Sequence, residues 1–414
     1  MRRIGLPLLI IGVSFWLAHG ILSVWIGVSL YQGEPSVSHF HQAIEHEARN
    51  PEPYYGLGLF YFWDLHEFDL EKAFRFLKQA LERNPLEQPY WLSVARVLYR
   101  KGDRTTADQA LERAILVFPL SFVGRWQAGN LLLEGGRIDE AVTQFSCILS
   151  YYPEQSSRVY DLFLRVVRDP NWILQKLVPS DAACLTQYLS YVYGTGDAES
   201  AEKVWAKRKS LGYKPSRQET IAHIDYLLSQ GKIQGAHQIW KERLQEEGIP
   251  LPSDGNLITN GSFETDQILG GGFDWRVNQV QGATVSYDTA EASEGKRSLR
   301  IDFDGKENVD YYHVYQYVSL RPERGYILKA HLKTRGVTTK SGLRIELVGL
   351  GSPFSVRSES LTGDNPWKEL SIDFQTPSDV KGAIVRVRRE RTDKFDRFLG
   401  GTLWLDHVRL FEIR

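Results

Sequence analysis

The sequence predicts a multidomain α + β chain in three parts: a transmembrane helix, an α-solenoid of paired helices, and an antiparallel β-sandwich. Three observations carry this. The chain opens on an uncharged apolar run, three prolines recur 34 residues apart, and beyond residue 255 the apolar period changes from helical to two. A length of 414 residues suits several domains at about 100–200 residues each. Apolar residues make up 42% and charged residues 24%, which excludes a disordered or collagen-like chain. With 50 Lys and Arg against 51 Asp and Glu there is no overall basic field, so no nucleic-acid partner is expected. Two cysteines exclude a cysteine-based zinc cluster and a dense disulfide framework.

The apolar run spans Ile4 to Leu30 and contains no Lys, Arg, Asp, Glu, Asn or Gln. About 20 helical residues cross a hydrocarbon layer of about 30 Å, so residues 1–31 are expected to form an anchor. A cleaved signal peptide would have a shorter apolar core and a small-residue cleavage site; here the run continues through Ala18-His19-Gly20. Arg2 and Arg3 precede the run, and no Lys or Arg follows it until Arg49. This bias places the N-terminus in the cytoplasm and the bulk of the chain outside it, as a single-pass protein of the inner membrane.

Pro85, Pro119 and Pro153 define the repeat. Twelve residues before them stand Ala73, Ala107 and Ala141; eight before, Leu77, Leu111 and Phe145; five before, Ala80, Ala114 and Ile148. Small residues at two of these places let paired helices approach, and the large one fills the gap between pairs. The pattern resembles the tetratricopeptide repeat, a 34-residue helix–turn–helix. Tyr54-x2-Leu57-Gly58-x2-Tyr61 matches its first helix, and Lys101-Gly102-Asp103 and Gly135-Gly136-Arg137 supply glycine-containing turns. The first repeat departs by about three extra residues between Trp63 and Asp69. The frame decays further on, giving one irregular solenoid over residues 36–247. The resemblance implies protein partners held by the helices; a rigid spacer is the plainer alternative. Cys147 and Cys184 both fall in this region; they read as two buried free thiols, the alternative being that they pair outside the cytoplasm.

A turn-rich linker over 248–255, with Gly248, Pro250 and Pro252, separates the helices from residues 256–414. Short apolar runs around Val314–Leu320, Ile327–His331, Leu343–Leu347, Leu370–Phe374, Ile384–Val387 and Leu403–Leu405 then read as strands of a β-sandwich. The opening Asn260-Gly261-Ser-Phe263-Glu264, the turn Ser293-Glu294-Gly295-Lys296 and the closing Trp404-Leu405-Asp406-His-Val408 are more specific. Their order resembles the jelly-roll carbohydrate-binding modules of bacterial glycanases, within the galactose-binding-like superfold. The resemblance implies one structural calcium, held by Glu264, Asp406 and the backbone near Lys296. The other reading of the same residues is that the two carboxylates hydrogen-bond turn amides.

Strand alternation puts Tyr311, His313, Tyr315 and Tyr317 on one face, with Val314, Gln316 and Val318 on the other. If the valines face the core, the four rings form a glycan-binding stripe or a layer beneath a loop. Gln316 on the inner side matches the family pattern and is expected to be hydrogen-bonded. Trp275, Trp367 and Trp404 read as structural. Arg386 and Arg388 alternate with Val385 and Val387, which aims both arginines outward; they either meet an acidic glycan or pair with Glu390 and nearby acids. No nucleophile elbow, His-Glu-x-x-His or phosphate loop is present, and no enzyme is expected. The whole reads as a membrane-anchored envelope protein accessory to polysaccharide assembly or export. The alternative is a protein-assembly scaffold with a structural sandwich.

Overall fold

The computed structural model describes residues 5–32, 36–250 and 255–413. Arg2, Arg3, Glu34 and the linker residues 251–254 lie outside the described residues, as do most side chains of the first helical turns. Helix α1 (Gly5–Gln32) is 28 residues long. Among the described residues no helix is long and apolar enough to cross a membrane, so the anchor expected over residues 1–31 is not established by the structure. Leu17, Ile21, Leu22, Val24 and Trp25 of α1 are exposed. Ser23 Oγ donates to the carbonyl of His46, 2.8 Å away, and ties α1 to α2 (Val37–His46).

A helical-repeat array follows. Its first pairs are α3 (Glu52–Trp63) with α4 (Leu70–Arg83), α5 (Gln88–Lys101) with α6 (Arg104–Val117), and α7 (Phe122–Glu134) with α8 (Ile138–Tyr151). All nine frame positions read from the prolines are buried. The reason for small residues is explicit at two glycines. A Cβ on Gly58 would stand 2.6 Å from Leu77, and one on Gly129 would stand 2.5 Å from the Phe145 ring. The large residue of the second helix therefore lies against the backbone of the first, and close packing leaves no room for another methyl. Gly102 ends α5 in the left-handed region at φ 85°. The array continues through α9 (Ser156–Val166), the short α10 (Pro170–Trp172) with a π-helical turn at Ile173–Leu177, α11 (Ala182–Thr195), α12 (Ala198–Ser210), α13 (Arg217–Ser229) and α14 (Ile233–Glu246). Cys147 and Cys184 are both free. Burial pushes the Cys184 thiol up to about 12, which makes it inert.

Two compact units divide the chain: residues 1–191 with 203–211, and residues 192–202 with 212–414. The division does not fall at the expected linker, because α13 and α14 belong with the sandwich. Trp240, Ile224 and Ile233 of these helices share a core with Leu269 and Phe273, and Tyr317 and Leu350 pack at its margin. Asp225 of α13 accepts from the Gly272 amide (2.9 Å) and from Arg276 (2.5 Å). Gln234 of α14 donates to the carbonyl of Lys381 at 2.6 Å.

The sandwich has two five-stranded sheets. The first runs β1 (Arg276–Val277), β4 (Val314–Val318), β9 (Ala383–Arg388), β6 (Arg344–Gly349), β7 (Ser355–Arg357). The second runs β2 (Ala283–Asp288), β3 (Ser298–Asp304), β10 (Gly400–Ile413), β5 (Gly325–Val337), β8 (Gly363–Gln375). Every pairing is antiparallel. Ile301, Leu332, Leu347, Val385 and Leu403 fill the space between the sheets. Strands β1 and β7 are too short to show a period, and β2 and β3 flank the Ser293–Lys296 turn. Those four were not anticipated.

Gln316 is wholly buried, as an inner position requires. Its Oε1 accepts from the Thr259 amide at 2.9 Å and its Nε2 donates to the Thr259 carbonyl at 2.8 Å. The opening segment is thus stitched to β4 with no polar atom left over. The glycine of Asn260-Gly261 is needed for a similar reason. A Cβ there would stand 2.0 Å from the carbonyl oxygen of Val408 in the closing strand.

Candidate functional site

The outward face of the first sheet carries most of the residues singled out for glycan contact. Register sets Arg276 beside Tyr315, Tyr315 beside Arg386, Arg386 beside Glu346, and Glu346 beside Arg357. Tyr315 and Tyr317 point outward and are half-buried, while Val314, Gln316 and Val318 point in, as alternation requires. The two tyrosine rings meet edge-on at 5.9 Å.

Tyr311 is a correction. It is 0% exposed and packs edge-on against Phe303 in the core. It joins only an isolated bridge, exchanging both backbone hydrogen bonds with Arg389 at 2.9 and 3.0 Å. Tyr312 and His313 then lie outside any strand, so the alternation counted back from Val314 does not reach Tyr311. Its neighbour Tyr312, passed over in the sequence, is 44% exposed instead. Tyr312 stacks on His313 at 4.5 Å, and the guanidiniums of Arg386 and Arg388 lie 5.6 and 5.9 Å from its centroid. Burial pushes the His313 imidazole below its ordinary value, so it is neutral at pH 7. Tyr317 is drawn to the other end of the face, beneath Arg276 at 5.1 Å and against the α13–α14 core.

Both arginines project from β9 as expected, but neither is free. Two guanidinium nitrogens of Arg386 reach Glu346 Oε2, at 2.8 and 2.7 Å. Arg388 pairs with Asp310 and lies 3.8 Å from Glu346. The expected partner Glu390 bonds Arg344 at 2.9 Å and Arg357 at 3.4 Å instead. The face therefore carries compensated Arg–carboxylate pairs flanked by rings. Beside it opens a cleft of about 390 Å³ lined by Gln281, Asn308, Asp310, Tyr312, His313 and Arg391. Glu346, Asp310 and Asn308 gave no signal in the sequence, because their nearness to β9 is set by strand register and by one loop.

Glu264 and Asp406 converge on one turn. Asp406 is fully buried. It accepts from the amides of Ser293 (2.7 Å), Glu294 (2.9 Å) and His407 (2.7 Å). Glu264 Oε1 accepts from the amides of Lys296 (2.9 Å) and Arg297 (3.3 Å). Gly295 makes room for this: at φ 69°, a Cβ there would stand 2.3 Å from Glu264 Oε1. Ca²⁺ takes 6–8 oxygens, and among the described residues no three His, Cys, Asp or Glu side chains are grouped to hold a metal. The carboxylates serve as acceptors for turn amides. Burial, opposed by these hydrogen bonds and aided by the nearby Glu264 charge, lifts the Asp406 carboxyl to about 6. Trp404, read as structural, is 1% exposed. Its indole donates to Asp288 at 2.8 Å beneath Arg300, Lys333 and Arg335.

No family model matches the chain. It is 24% identical over 168 residues to the tRNA nuclease WapA of Bacillus subtilis (strain 168), and equally to the tRNA(Glu)-specific nuclease WapA of Bacillus subtilis subsp. natto (strain BEST195). The match covers 39% of this chain and 7% of the length of each of those relatives. Among solved structures, the sandwich resembles carbohydrate-binding modules. A family 16 carbohydrate-binding module is 22% identical, covering 38% of this chain and 100% of that one, with a TM-score of 0.27. The CBM22-1 xylan-binding domain from Paenibacillus barcinonensis Xyn10C is 14% identical, covering 37% and 92%, with a TM-score of 0.28. A separate solved structure that the chain resembles, MamA, is 20% identical, covering 33% of this chain and 80% of that one, with a TM-score of 0.28.

Proposed function

We propose that this chain is a non-catalytic envelope protein whose sandwich binds a neutral glycan and whose tetratricopeptide-like helices hold protein partners, in an accessory role in polysaccharide assembly or export. In this reading α1 anchors it in the inner membrane with the bulk of the chain outside the cytoplasm; the exposed Leu17, Ile21, Leu22, Val24 and Trp25 are in keeping with that. The observation that carries the glycan reading is the exposed Tyr312 ring beside compensated Arg–carboxylate pairs. A ring face packs against sugar C–H surfaces, and adjacent hydroxyls both donate to a carboxylate and accept from a guanidinium. The pairing also shifts the expected ligand from acidic to neutral. A uronic carboxylate at Arg386 would have to displace Glu346, whose side chain is 9% exposed, and leave a buried charge unpaired.

The test is binding of the full chain to an array of neutral and uronic oligosaccharides at two salt concentrations. Neutral glycans are expected to bind, with little dependence on salt because the charges are already paired. Tyr312→Ala is expected to weaken binding about tenfold, or about 1.4 kcal/mol, without changing the melting temperature. Tyr311→Ala is expected to lower the melting temperature. Failure of every glycan to bind overturns the reading. The protein-assembly scaffold with a structural sandwich would then stand, a reading favoured by the packing of α13 and α14 on the sandwich around Trp240 and Phe273.

A further inference from the structure

The departure of the first repeat from its frame has a structural counterpart. The turn between α3 and α4 runs through Asp64–Asp69, where the next pair needs only Gly102 and Asp103. The longer turn is ordered. Asp64 accepts from the amides of His66 and Glu67, both at 2.8 Å, and the Asp69 amide donates to the Tyr61 carbonyl at 2.8 Å. Those two amide bonds hold the Asp64 carboxyl below its ordinary value. What this fixed turn displays is apolar: Trp63, Leu65 and Phe68 are 62, 92 and 51% exposed.

These side chains form one wall of an open groove of about 920 Å³. The lining also takes in α5 and the start of α6, with Arg96, Arg100 and Arg104. Arg96 lies over the Trp63 ring at 5.8 Å. None of the three has a carboxylate within ion-pair distance among the described residues. Arg137, at the far end, is already held by Asp108 and Glu140. The lining carries Arg96, Arg100, Arg104 and Arg137 against the two carboxylates of Asp64 and Glu134, so it keeps a net positive charge.

We infer that this groove docks an acidic peptide segment bearing an apolar side chain. The carboxylates would meet Arg96, Arg100 and Arg104, whose forks suit bidentate contact, and the apolar side chain would cover Leu65 and Phe68. A groove of this volume suits an inserted segment. A flat membrane surface would reach the exposed Leu65 but not the arginines, which line the recess beside it. The inference rests on reading the helical array as the partner-binding part of the chain.

The experiment selects a random phage-displayed peptide library on the full chain. It then measures the enriched peptides against the wild type, against the triple variant Arg96→Glu, Arg100→Glu, Arg104→Glu, and against Leu65→Ser with Phe68→Ser. The result expected is enrichment of peptides rich in Asp and Glu around an aromatic or Leu residue, with binding reduced at least about tenfold in each variant and helicity by circular dichroism unchanged. Enriched peptides that bind the variants as well as the wild type would overturn the groove while leaving the partner-binding reading standing. No enrichment at all would overturn both. Binding of phosphatidylglycerol vesicles that is lost in the same variants, with no peptide binding, would replace the peptide by a membrane and equally overturn the inference.

Discussion

Replacing Asp406 with alanine is expected to destabilise the sandwich by about 3 kcal/mol at neutral pH. Three backbone amides lose their acceptor in a fully buried place, at about 1–3 kcal/mol each. Removal of the carboxylate's own burial cost offsets part of that. The offset is visible as a pH dependence. The carboxyl sits near 6 in the folded chain against an ordinary value of 3.8, so the folded state holds its proton more tightly than the unfolded state does. The stability this group contributes is present below about pH 3.8 and is lost as pH rises through about 6, by at most about 3 kcal/mol. Asp406→Asn removes that limb but turns an amide donor toward amide donors, so it is destabilised at every pH. Denaturant midpoints measured across pH 4–7 check both statements; a variant as stable as the wild type would show that the Ser293–Lys296 turn holds itself. The same titration, run with calcium and with chelator, tests the cation that the family resemblance implies. An ion shared by Glu264 and Asp406 would abolish the loss of stability toward pH 7, and coincident curves would assign the pair to the turn alone.

The second large effect is expected at Arg389. Its side chain is fully buried, and burial lowers its pKa from the ordinary value. Among the described residues it makes no ion pair; its donors reach Asn308 Oδ1 (2.7 Å), the Val309 carbonyl (2.6 Å) and the Arg397 carbonyl (2.8 Å). One guanidinium thus pins the loop that carries Asn308 and Asp310 to the segment before β10. Arg389→Ala removes three hydrogen bonds, leaving Asn308 Oδ1 only the Thr392 amide at 3.5 Å, and is expected to cost about 3 kcal/mol, hydrogen bonds from a charged donor being worth about 1.5–3 kcal/mol each. Arg389→Lys keeps the charge but not the planar fork. It is expected to keep the fold and to weaken glycan binding severalfold through the displaced Asn308 and Asp310. Unaltered binding in Arg389→Lys would show that the cleft beside Tyr312 takes no part.

What was legible in the sequence follows from local periodicity. Ala73, Leu77 and Ala80, and their counterparts one and two repeats later, could be assigned to the interior because a helix of 3.6 residues per turn returns them to one face. The close approach of Gly58 to Leu77 repeats at Gly129 and Phe145 because the same two helices meet in each pair. In the sandwich, the inward Val314, Gln316 and Val318 followed from the pleat alone. Tyr311 did not, because an isolated bridge and two unpaired residues separate it from β4.

The sequence by itself determined which side chains share a face within one element: the buried frame of the repeat, the outward Tyr315 and Tyr317, the outward Arg386 and Arg388. Only the tertiary structure decided what those faces meet. Glu346 takes Arg386 because β6 pairs with β9 in one register. Asp310 takes Arg388 because Arg389, one residue on, fastens the loop before Tyr311. The helices α13 and α14 join the sandwich because Gly272, at φ 59°, brings its backbone against Trp240. Period is a property of neighbours along the chain and is written into the local order of residues. Register, loop closure and the pairing of distant charges are settled between segments tens of residues apart, where no local pattern records the partner.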